Sequence, residues 1–130
     1  VCKRAVIVGG GLIGIELAEM LLSRNIPVTF LAREKSFWNE VLPYQESEMI
    51  NRHIREHDVD LRLNTQLREI KANGKGQVSS VIIEETGEEI LCDLVGLTVG
   101  VSPNIDFVKK SNMLTGKGIL VNRFFGNQYP

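Results

Sequence analysis

Apolar residues in the first third of the chain fall into two short unbroken runs on either side of a longer periodic stretch. Ala5-Val6-Ile7-Val8 is continuous and brief, the pattern of a parallel strand buried on both faces. Leu12 to Arg24 consists mostly of helix formers. Its Glu16, Glu19 and Ser23 stand at i, i+3 and i+7, which predicts a single polar stripe on an otherwise buried helix. Asn25 and Pro27 end that helix, and Val28-Thr29-Phe30-Leu31 is the second strand. Arg33 to Tyr44 mixes charge and aromatics as a loop does. Gln45 to His57 then predicts a second helix with Met49, Ile50 and Ile54 on its buried face, and the alternation Val59 to Leu63 predicts a third strand.

Beyond residue 63 the helical period does not return. Leu67 to Ala72, Val78 to Glu84 and Ile90 to Asp93 are short strand-like runs separated by Asn73-Gly74-Lys75-Gly76 and Thr86-Gly87, turn signals that predict an antiparallel meander. Leu94 to Val99 reads as another buried strand, Gly100 to Asn104 as a turn, and Ile119-Leu120-Val121 as a further short strand. The fold class is α/β, a central parallel sheet with an antiparallel β-meander replacing one crossover helix.

The chain has 130 residues, 43% hydrophobic and 24% charged, enough for one domain with a core. Fifteen Lys+Arg oppose sixteen Asp+Glu, so no excess of positive charge favours nucleic acid or an anionic membrane. Glu16 and Glu19 interrupt the most apolar stretch, Ala5 to Leu22, and argue against both a membrane span and a signal peptide begun by Cys2-Lys3-Arg4. Cys2 and Cys92 have no metal-type spacing and read as reduced thiols of a cytoplasmic protein. The first residue is Val1 rather than Met, and the last apolar segment has no helix after it. An excised domain is therefore expected.

The candidate chemistry lies at Val8-Gly9-Gly10-Gly11-Leu12-Ile13-Gly14, a G-x-G-x-x-G between a predicted strand and a predicted helix, with a strand following. Gly9 permits the tight turn, Gly11 lets a pyrophosphate approach the backbone, and Gly14 brings the helix close to the first strand. The start of the helix supplies N–H groups and a dipole for the diphosphate. A glycine-rich turn without a ligand is the plain alternative.

Gly9-Gly10-Gly11-Leu12-Ile13-Gly14-Ile15-Glu16-Leu17-Ala18 resembles the GGGxIGxExA motif of the FAD-dependent pyridine nucleotide-disulfide oxidoreductases, in the Rossmann-like domain that holds NAD(P)H. Leu97-Thr98-Val99-Gly100-Val101-Ser102-Pro103-Asn104 is similar to that family's [AT]-x-G-x-x-PN strand end, and Gly118-Ile119-Leu120-Val121 to its GxIxVD strand, with Asn122 in place of the acid. The resemblance covers nearly the whole chain. It implies that Glu16 lies beside the nicotinamide end of the cofactor and that Val99 and Gly100 approach it from the later strand. For Glu16 a first-turn carboxylate facing solvent is the alternative. It also implies that residues 1–130 are the NAD(P)H-binding domain of a larger flavoprotein. FAD would sit in another domain of the same polypeptide, and the intact protein could assemble as a homodimer.

A dinucleotide fold that takes NADH places an acid at the end of the second strand, on the ribose 2′-hydroxyl. That position is Ala32. Arg33 and Lys35 could pair with a 2′-phosphate, which favours NADPH. Glu34, twenty residues past Gly14, is the complication: a loop shifted by two residues would give an NADH site. A solvated charged loop is the third possibility. Phe37 and Trp38 read as packing against the second helix in preference to stacking on the adenine.

No nucleophile with a base is evident, and His53 and His57, four apart, have no obvious third metal ligand. The chain carries one glycine fingerprint and no redox Cys pair of the family's kind, so it is expected to bind the reductant without turning it over. The rival readings are a stand-alone nucleotide-binding or redox-sensing module without catalysis, and an FAD-binding Rossmann domain.

Overall fold

The structure is a computed structural model that describes residues 2–127. Its elements follow the order β1 (Ala5–Val8), α1 (Leu12–Leu22), β2 (Val28–Leu31), α2 (Tyr44–Glu56), β3 (Asp60–Arg62), β4 (Leu67–Ala72), β5 (Val78–Ile83), β6 (Glu89–Leu91) and β7 (Leu94–Leu97). Residues up to Val99 form one unit and those from Gly100 a second.

In the first unit, β3-β2-β1-β7 make a parallel sheet, with Ala5 opposite both Val28 and Leu94. Its two faces explain the unbroken apolar runs. Ala5, Ile7, Val28 and Phe30 point to one side, where they pack with Ala18 and Leu21 of α1 and Ile54 of α2. Val6 and Leu31 point to the other side and meet Val81, Ile83, Ile90 and Cys92 of the meander. That meander is the antiparallel sheet β4-β5-β6, as its turn signals predict.

The helices differ from expectation in which face they bury. Gly14, Ala18 and Leu21 form the buried stripe of α1, while Leu12, Ile13 and Met20 are each about half exposed, so its outer surface is not only the predicted Glu16-Glu19-Ser23 stripe. The helix ends at Leu22, two residues before the predicted Arg24. Asn25 takes a left-handed conformation (φ +56), and the Asn25 and Ile26 N–H groups donate back to the Leu22 and Leu21 carbonyls. On α2 the predicted Met49 is exposed, and the buried stripe is Ser47, Asn51 and Ile54. Two polar residues enter the core because each finds hydrogen-bond partners there.

β7 is half-buried along its length because it lies at the sheet edge with β1 as its partner, and Leu97 is exposed. In the second unit the strand expected at Ile119-Leu120-Val121 reduces to two isolated bridges, Thr115 with Ile119 and Val121 with Asn127. Asn122 Oδ1 accepts from the Phe124 and Gly126 N–H groups, and this tight turn leaves no length for a ladder. Among the described residues no helix is long and apolar enough to cross a membrane.

Candidate functional site

The fingerprint occupies the turn between β1 and α1. Gly9 has φ +122, and a Cβ there would strike the carbonyl oxygen of Thr98 and come within 2.9 Å of its hydroxyl. Thr98 follows β7 and closes over the turn: its N–H donates to the Val8 carbonyl at 2.8 Å, and its hydroxyl donates to Val8 and Gly9 carbonyls at 3.0 and 3.3 Å. Gly14 is walled in on three sides. An added Cβ would lie 2.6 Å from the Gly9 carbonyl oxygen, 2.9 Å from Phe30 and 2.9 Å from the Thr98 hydroxyl.

Gly11 faces the opposite condition, since nothing lies within 4 Å of where its Cβ would be. It is the N-cap of α1, with extended backbone and no side-chain cap. The backbone at the start of α1 is thus uncovered at Gly11, and the first-turn N–H groups of a helix have no intrahelical partner. Leu12 and Ile13 flank this opening with half-exposed apolar side chains. Glu16 is exposed in the second turn of α1, one turn beyond the first-turn position considered from sequence. Val99 is exposed at the end of the first unit, and Gly100 opens the second with φ +123.

The loop after β2 lies against the fingerprint. The Trp38 N–H donates to the Gly10 carbonyl at 3.2 Å, and a Cβ on Gly10 would come within 3.2 Å of both Ala32 Cβ and Glu34 Oε2. Ala32, at the strand end, is fully buried. Glu34 therefore has its carboxylate beside the glycines, two residues later than strand counting places the acid. Its Oε1 accepts from Arg33 Nε at 2.8 Å, and its Oε2 is buried with no hydrogen-bond partner among the described residues. The hydrogen bond to Glu34 is the largest cause raising the Arg33 guanidinium above its ordinary value. Arg33, paired with Glu34, and Lys35 are both exposed. Phe37 is buried and packs on Phe30 at 6.0 Å between ring centroids, while Trp38 packs partly against the same core.

Sequence reasoning gave no role to Thr98, Asn51, Ser36 or Ser47. The only trace of the last three is their small polar character beside apolar neighbours; the trace of Thr98 is its place as the first residue of the [AT]-x-G-x-x-PN resemblance. His53 and His57 lie ring against ring at 4.3 Å, His57 Nδ1 is 2.9 Å from the His53 carbonyl, and among the described residues no three metal-binding side chains gather.

A family model described as pyridine nucleotide-disulphide oxidoreductase matches residues 1–129. The NADH oxidase of Enterococcus faecalis is 31% identical over 129 residues, covering 98% of this chain and 28% of that protein. The rubredoxin-NAD(+) reductase of Acinetobacter baylyi is 30% identical over 120 residues, covering 92% of this chain and 30% of its own length. Among solved structures, the covalent putidaredoxin reductase-putidaredoxin complex superposes with a TM-score of 0.85 at 28% identity, over 96% of this chain and 30% of that one. The chain thus spans under a third of the length of these relatives.

Proposed function

The chain belongs to the pyridine nucleotide-disulphide oxidoreductase family, and from that premise we propose that it is the NAD(P)H-binding domain of a flavin-dependent oxidoreductase, with NADH as its preferred dinucleotide. Glu34 carries the choice of nucleotide. Its carboxylate lies beside Gly10 on a side chain that is 21% exposed, a placement suited to a ribose 2′-hydroxyl that donates to it. A 2′-phosphate in the same place would meet like charge.

In this reading the α1 N-terminus and the Gly9-Gly10-Gly11 backbone take the diphosphate, and Glu34 takes the adenosine ribose. Leu12, Ile13, Glu16 and Val99 serve the nicotinamide end. When bound, the reduced nicotinamide supplies a hydride from its C4 to the N5 of a flavin held by an FAD domain of the same polypeptide. This chain contributes placement: it anchors the far end of the dinucleotide on rigid backbone and leaves the reactive ring beside exposed apolar residues. The free thiols Cys2 and Cys92 fit a reducing, cytoplasmic compartment.

The alternative is NADPH, favoured by Ala32 with Arg33 and Lys35 as phosphate partners. Titrating the chain with 5′-AMP and with 2′,5′-ADP separates the two. Tighter binding of 5′-AMP, lost in Glu34→Ala, is expected; tighter 2′,5′-ADP binding overturns the NADH assignment. A yellow chromophore retained after incubation with FAD would favour an FAD-binding domain instead.

A further inference from the structure

We infer that Asn51, which lies on α2 away from the glycines, is a positioning residue that fixes dinucleotide choice by holding the Glu34 loop in place. This rests on the reading of Glu34 as the ribose acceptor. Asn51 is fully buried, and both ends of its amide are engaged. Its Oδ1 accepts the Phe37 N–H at 2.9 Å; its Nδ2 donates to Ser36 Oγ at 2.8 Å and to Glu48 Oε1 at 2.8 Å. Ser47, one turn earlier, donates its hydroxyl to the Phe37 carbonyl at 2.6 Å, and Ser36 donates to Glu48 Oε1 at 3.1 Å.

The helix therefore grips both backbone polar groups of Phe37 and the side chain of Ser36, immediately after Glu34 and Lys35. On the other side the loop is tied by the Trp38 N–H to the Gly10 carbonyl and by the Asn64 N–H to the Glu34 carbonyl at 2.9 Å. With Asn51 removed, the Phe37 N–H loses its acceptor, and the loop that carries the Glu34 carboxylate loses one of its ties. A carboxylate less firmly placed costs the ligand that needs it as an acceptor, the one bearing a 2′-hydroxyl, and leaves the one bearing a phosphate little changed. A merely structural amide would weaken both alike.

The test uses the full chain and two probes, 5′-AMP and 2′,5′-ADP. Asn51→Ala should weaken 5′-AMP with little change in 2′,5′-ADP, lowering the preference by about tenfold. Equal weakening of both ligands, or an unchanged ratio, overturns the inference and leaves the Glu34 reading intact. A native chain without a preference for 5′-AMP overturns the Glu34 reading, and this inference falls with it. If Asn51→Ala does not fold, Ser47→Ala loosens the same loop through the Phe37 carbonyl and should move the ratio in the same direction; no movement counts against the inference. In a Glu34→Ala background, Asn51→Ala should no longer alter the ratio. A further change would mean that Asn51 acts by another route.

Discussion

The Thr98 carbonyl oxygen fills the space in front of Gly9, so the first fingerprint glycine is fixed from across the sheet as well as by its own backbone angle. Gly9→Ala should therefore fail on two grounds, a disfavoured positive φ and a clash with backbone that cannot yield. A loss of about 3 kcal/mol or more is expected in urea denaturation. An alanine variant of native stability would show that the turn relaxes away from Thr98.

Gly11 and Gly14 should separate binding from folding. Gly14→Ala places a methyl against the Gly9 carbonyl, Phe30 and Thr98, and is expected to cost about 2 kcal/mol in a thermal or urea melt. Gly11→Val puts its Cβ where nothing lies within 4 Å, so the melt should change little while 5′-AMP and 2′,5′-ADP binding are both lost. Retained binding in Gly11→Val would place the phosphates elsewhere.

Thr98→Val keeps the shape of the side chain and removes the hydroxyl. Val8 retains the Thr98 N–H, but the Gly9 carbonyl loses its contact. A destabilisation of about 1 kcal/mol is expected, measured by urea denaturation beside the native chain.

Asp93 gives the chain an acid-sensitive contact. Its Oδ2 accepts the Lys3 N–H at 2.7 Å and the Arg4 N–H at 3.1 Å, and the Lys3 bond is the largest cause holding the carboxyl below its ordinary value. A carboxyl depressed by folding stabilises the protein fully above its unfolded value, about 3.9, and that contribution disappears as pH falls through the lower folded value. Asp93→Asn should therefore flatten the stability–pH curve below about pH 4. An identical curve for native and variant would remove Asp93 from that role.

The two thiols should differ in reactivity. Burial, followed by the Asp93 charge, pushes the Cys92 thiol above its ordinary value, while Cys2 is only half-buried. A thiol reagent at neutral pH should label Cys2 first and reach Cys92 only in denaturant. Equal rates in the native protein would contradict the packing of Cys92 beneath the meander.

Much of this architecture was legible because backbone signals are local. Ala5 to Val8 and Val28 to Leu31 are apolar without a break since helices cover one sheet face and the meander covers the other. Gly9 and Gly14 were legible for a similar reason, as each meets a requirement of the turn itself. Asn51 and Ser47 were not, because a polar residue looks solvent-facing until its partner is known, and the partners here are the backbone of Phe37 and the hydroxyl of Ser36. Counting along the second strand put the acid at Ala32, whereas the loop path that brings Glu34 beside Gly10 depends on ties to Asn64, Asn51 and Gly10 itself. Met49 on the same helix faces solvent, since apolar character alone does not say which stripe meets the sheet.

The contact between Thr98 and Val8 joins residues 90 positions apart, and this sets an order of events as the chain is synthesised. The β1-α1-β2 segment can close on itself early, with short loops and local contacts. The roof over Gly9 must wait until the meander has been made and β7 has docked beside β1. A nascent chain stopped before residue 98 would carry every glycine of the fingerprint and still lack the wall that shapes it, so nucleotide binding should report arrival of the last strand rather than formation of the first.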